Sequence, residues 1–98
     1  MDNQEEILRL LDAVSDPIRT QLIFLIGQHG RMNVTDITAH FALSRPAISH
    51  HLKVLKDAGA LSSNKKGQEV FYELNRRQVV TALRTLADSI EGCCPYTD

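Results

Sequence analysis

The sequence predicts a mainly α fold with a small β-hairpin, in the order α-α-α-α-β-β-α. Three observations predict it. Apolar residues recur at helical spacing in several separate stretches, whereas residues 61–74 change to strand-like residues around a Lys-Gly-Gln turn. Most changes of pattern are also marked by a capping residue or a glycine. The chain of 98 residues, 43% of them hydrophobic, suits a single domain spanning 1–98, and area scaling lets it bury roughly 65% of its unfolded surface.

Each element has a local cause. In residues 4–15, Ile7, Leu8, Leu11 and Val14 follow an acidic first turn, which suits the positive end of a helix dipole. Asp16-Pro17 restarts the chain. The aspartate can cap and the proline fits a first turn, so Ile18, Leu22, Leu25 and Ile26 form the next helix, which fades between Gly27 and Gly30. Asn33 and Asp36 carry capping-box spacing before a short helix with Ile37 and Phe41 that ends by Leu43. Ser44 caps the longer helix 45–58, stopped by Gly59. At 100° per residue, Ile48, His51, Leu52 and Leu55 gather on one side of it, with Pro46, Ser49, His50, Lys53 and Asp57 opposite or flanking. Leu61–Lys65 and Glu69–Leu74 form the hairpin. Asn75 then caps a helix over about 76–91, striped by Val79, Leu83, Leu86 and Ile90, with Gly92 as its expected end.

A short helix, a tight turn and a helix with a polar outer face describe a helix-turn-helix, and the hairpin beyond it describes the winged variant. The first and last helices lie outside that core. Their apolar stripes are expected to pair across a dimer. The net charge of -1 conceals a division along the chain. Residues 1–44 sum to -3, residues 45–77 to +4 and residues 78–98 to -2. Positive charge is therefore concentrated in the helix and hairpin that would meet phosphate, so the acidic sum is no objection to DNA binding.

The segments DPIRTQLIFLI, TDITAHFALSRPAISHHLKVLKDAGAL and KKGQEVFYELN resemble the ArsR/SmtB family of bacterial winged-helix repressors over residues 7–90. The resemblance implies a homodimer that binds an inverted-repeat, double-stranded DNA operator and releases it when an effector binds. It also implies that helix 45–58 is the recognition helix, with Ser44, Arg45, Ser49 and His50 toward DNA. Lys53 is expected at phosphate, and Lys65, Lys66 and Gln68 at the tip of the wing, about 61–74. For each of these the alternative is a solvated side chain. His51 reads as a half-buried, satisfied histidine. Arg76 and Arg77 oppose the dipole of the last helix, which leaves compensation or plain solvation open.

Two of the family's recurrent sensing sites are expected to be absent: Asn33, Thr35 and Asp36 stand where a cysteine site would be, and residues 76–91 contain no histidine for the usual zinc or nickel site. His29 and His40 read as lone histidines at a helix end and in a loop. Cys93 and Cys94 remain, placed by the sequence just past the last helix. Neighbouring cysteines do not relax into a disulfide with each other, but two thiolates make a soft clamp suited to trivalent arsenic, antimony or another thiophilic ion. Inorganic arsenite generally seeks three thiolates, whereas an organic arsenical needs two. Incidental thiols are the alternative, and with them an autorepressor that has no metal effector. A winged-helix module for protein interaction that does not read DNA is a further reading. An enzyme is not expected, since no nucleophile-base grouping or phosphate-binding glycine loop is present. The acidic start and the lack of a long apolar run point to a cytoplasmic protein without membrane contact.

Overall fold

The computed structural model describes residues 3–93. Its elements run α1 (Asn3–Val14), α2 (Pro17–His29), β1 (Arg31–Asn33), α3 (Val34–Thr38), α4 (Arg45–Asp57), β2 (Leu61–Lys66), β3 (Glu69–Leu74) and α5 (Arg76–Cys93). The corner between α1 and α2 forms as Asp16 predicts. Its carboxylate accepts from the backbone N–H groups of Ile18 and Arg19 at 2.9 and 3.1 Å, and Pro17 opens the helix. Asn33 caps α3 by accepting from Asp36 N–H at 2.8 Å, and Ser44 caps α4 by accepting from Ala47 N–H at 3.2 Å. Beyond α4 the chain turns through Gly59 at φ 90°, a left-handed conformation that disfavours any side chain.

The expected hairpin is present and gains a third strand. The sheet has the order β1-β3-β2, both pairs antiparallel, with Met32 opposite Tyr72 and Leu61 opposite Leu74. Three residues are too few to show the alternation that marks a strand, so β1 leaves almost no pattern in the sequence. Its role is nonetheless definite: Met32 is buried, and Asn33 both caps α3 and donates through its side-chain amide to Glu69 at the start of β3. At the other end, Lys66 pairs with Glu69 and the turn is Gly67-Gln68. Gly67 has φ 62° while Gln68 does not take positive φ, the pattern of a II′ turn that needs glycine first.

The core joins α1, α2, α3, α4, α5 and the sheet, with Val79 and Ala82 of α5 buried in it. Leu22, Ile26, Ile37, Ile48, Leu52 and Leu55 have no measurable exposure. Removing one of these side chains to the β-carbon would cost about 2–5 kcal/mol. Asn75 corrects one sequence expectation. Its side-chain oxygen accepts from Ser62 and its amide donates to the Gly59 carbonyl at 2.8 Å, tying the wing to the end of α4 instead of capping α5. Gly92 likewise does not end α5, which continues through Cys93.

The last helix packs on α1 and leaves much apolar surface uncovered. Val80, Leu83, Leu86 and Ile90 on α5 are 44, 48, 44 and 57% exposed, and Leu8 on α1 is 57% exposed. The radius of gyration is 15.2 Å, where a compact chain of this length has about 13 Å.

Candidate nucleic-acid interface

The turn between α3 and α4 sets the angle at which α4 leaves the body. Pro46 sits in the first turn of α4, and Ile48, Leu52 and Leu55 bury one side of the helix against the core. What remains outward is polar. Ser44, Arg45, Ser49, His50 and Lys53 are exposed, as are Lys65, Lys66 and Gln68 around the wing tip. Burial of the apolar stripe thus fixes the rotation of α4 about its axis, and that rotation presents Ser49, His50 and Lys53 together.

Two of these side chains are engaged within the chain. Arg45 donates to the Thr35 hydroxyl at 3.0 Å, reaching back across the turn to α3. Lys53 pairs with Asp57 one turn later at 2.9 Å, an exposed ion pair that can exchange its carboxylate for a phosphate at little cost. The Arg45–Thr35 contact leaves no mark in the sequence, because contacts between successive helices depend on the turn between them.

His51 lies half-buried beside α2, and its Nδ1 is 3.1 Å from the Arg19 guanidinium. Since guanidinium can only donate, Nδ1 is the acceptor of this hydrogen bond. Arg19 also donates through Nε to the Ala13 carbonyl at 2.5 Å. This one side chain therefore joins the end of α1, the start of α2 and the middle of α4. The Arg19 backbone N–H is the main cause holding the Asp16 carboxyl below its ordinary value of 3.8, helped by the Ile18 N–H and by the charges of Arg19 and His51 and opposed by partial desolvation. Arg76 donates to the Gly27 carbonyl at 2.6 Å, near the negative end of α2, which compensates one of the two charges that oppose the dipole of α5.

Among the described residues no group of three or more His, Cys, Asp or Glu side chains is placed to hold a metal ion, and no helix is long and apolar enough to cross a membrane. Cys94 and the side chain of Cys93 lie outside the described part. His29 and His40, read from the sequence as lone histidines, are brought together with ring centroids 5.8 Å apart.

The model for bacterial regulatory proteins of the arsR family matches residues 16–63, from the cap of α2 into β2. The transcriptional repressor SdpR of Bacillus subtilis is 46% identical over 63 residues, which span 64% of this chain and 69% of that protein. The chain belongs to the ArsR family. The arsenical resistance operon repressor of Bacillus subtilis is 31% identical over 99 residues, covering 97% of this chain and 90% of that one. Among solved structures, the crystal structure of a "possible transcriptional regulator for arsenical resistance" superposes with a TM-score of 0.75 at 36% identity, covering 84% of this chain and 83% of the other. This ArsR-family fold is the winged helix-turn-helix, and its relatives are named as transcriptional repressors and regulators.

Proposed function

We propose that this ArsR-family repressor works as a homodimer that reads an inverted-repeat operator, with Ser44, Arg45, Ser49 and His50 toward base edges or adjoining phosphates, and with Lys53, Lys65, Lys66 and Gln68 along the backbone. One observation carries the reading: all eight residues are exposed, on a helix whose opposite side is buried in the core and on the wing that follows it. The dimer forms through α1 and α5, whose uncovered apolar side chains a second copy would cover. The two recognition helices then meet successive major grooves, about 34 Å apart. The protein acts on DNA in the cytoplasm.

The effector in this proposal is a trivalent arsenical, or another thiophilic ion such as antimony, held by Cys93 and Cys94. The names of the arsenical relatives and the soft two-thiol donor set support it. A monosubstituted arsenical would exchange two oxygen ligands, lost as water, for two As–S bonds. Because α5 runs through Cys93, an ion there would act at the end of the dimer helix and change the separation of the recognition helices.

The test titrates reduced protein into a duplex from upstream of its own gene, with and without phenylarsine oxide. Release of the duplex that C93S/C94S abolishes supports the whole proposal. Specific binding that persists with the arsenical leaves an autorepressor without that effector, and equal binding to a scrambled duplex points to an interaction module.

A further inference from the structure

We propose that His29 and His40 form a binding site for a borderline divalent cation, Zn(II) being the reference ion, that bridges the end of α2 and the turn between α3 and α4. The two residues belong to different elements, and the fold alone brings them together. Their rings lie 5.8 Å apart between centroids, inclined at 60°, and both are exposed. Imidazoles sharing one ion through nitrogens at about 2.0–2.1 Å place their centroids roughly 5–6 Å apart, and the two rings already stand at that spacing.

The proton arrangement also suits a ligand. His29 Nδ1 lies 2.9 Å from the Leu25 carbonyl, which can only accept, so Nδ1 donates there and Nε2 is the nitrogen left for an ion. Metal-bound histidines characteristically donate their other N–H to a carbonyl in this way. His29 also closes α2, at the negative end of its dipole, where the Arg76 guanidinium already takes the Gly27 carbonyl. Two imidazoles leave the remaining positions to water, so the ion is exchangeable rather than structural. Imidazole and water select zinc, copper or nickel over magnesium or calcium.

His50 and His51 provide a built-in control. Their centroids are 5.9 Å apart, yet they are neighbours on one helix and His51 Nδ1 is taken by Arg19. They diverge by about 100° and cannot share an ion.

The experiment titrates Zn(II), with Mg(II) as comparison, into the full chain carrying C93S/C94S so that thiolates cannot compete. Calorimetry gives affinity, and imidazole resonances in NMR give location. The expected result is one Zn(II) per chain, resonance shifts at His29 and His40, and at least about a tenfold loss of affinity in H29Q and in H40Q but not in H50Q. All three positions are exposed, and a thermal melt verifies that each variant is folded. Absence of Zn(II) binding, shifts confined to other histidines, or affinity unchanged in H29Q and H40Q would overturn the proposal. None of these readouts involves DNA, so they are independent of the proposed repressor mechanism.

Discussion

Leu83→Ala offers a quantitative test of the dimer, because Leu83 contributes little to the monomer's own core. It is 48% exposed on the outward stripe of α5, beside Val80 and Leu86. Truncation removes about three carbon groups, each worth roughly 0.8 kcal/mol when fully transferred from water. Since about half of the side chain is already covered, the loss on association is about 1 kcal/mol per protomer. A two-fold interface counts every substitution twice, giving about 2 kcal/mol per dimer, or roughly a 30-fold weaker dimer. Sedimentation equilibrium over a concentration series measures this directly. A roughly 30-fold rise in the dimer dissociation constant, with the isolated chain still folded and destabilised by no more than about 1 kcal/mol, is the expected result. An unchanged dissociation constant would refute the placement of this stripe in the interface. A chain that remains monomeric at all concentrations before mutation would refute the dimer itself.

Three further outcomes follow from particular contacts. Arg19→Met removes the link among the Ala13 carbonyl, His51 and α2 and should cost about 1–3 kcal/mol in urea unfolding; Arg19→Lys should restore little, because an ammonium cannot reproduce the fork. Lys65→Ala with Lys66→Ala should lower the slope of log affinity for DNA against log salt by about 2, at roughly 0.9 per phosphate contact, and an unchanged slope would remove the wing lysines from the interface. The depressed carboxyl of Asp16 stabilises the fold at pH values above the ordinary carboxylate value of 3.8, and this contribution is lost as pH falls through the lower folded value. Asp16→Asn should therefore flatten that acid limb in stability measured against pH, whereas an identical limb would show that Asp16 does not titrate with folding.

Much of this was legible in the sequence because it was written locally. Asp16-Pro17, Asn33 and Ser44 declare their helices through the capping chemistry of their own side chains, and the apolar period of α4 defines its polar face. His51 was placed on the packed side of α4 by that same period, and it is half-buried. What escaped depends on tertiary contact. Strand β1 exists because β3 offers it a partner, and three residues cannot announce that pairing. Asn75 resembles a cap in sequence, yet Ser62 and the Gly59 carbonyl take its side chain once the hairpin folds back. His29 and His40 look unrelated along the chain and meet only through the path of α2, β1 and α3. Thr35 under Arg45 and Arg19 beside His51 were hidden for the same reason.

The central claim is that α4 and the wing of a dimer read DNA. Its most direct test is a titration of the reduced chain, at several salt concentrations, into an inverted-repeat duplex from upstream of its gene and into a scrambled duplex of equal length. The account predicts two chains per duplex, a clear preference for the repeat, and affinity that falls steeply with salt. Equal affinity for both duplexes, or no dependence on salt, would contradict it.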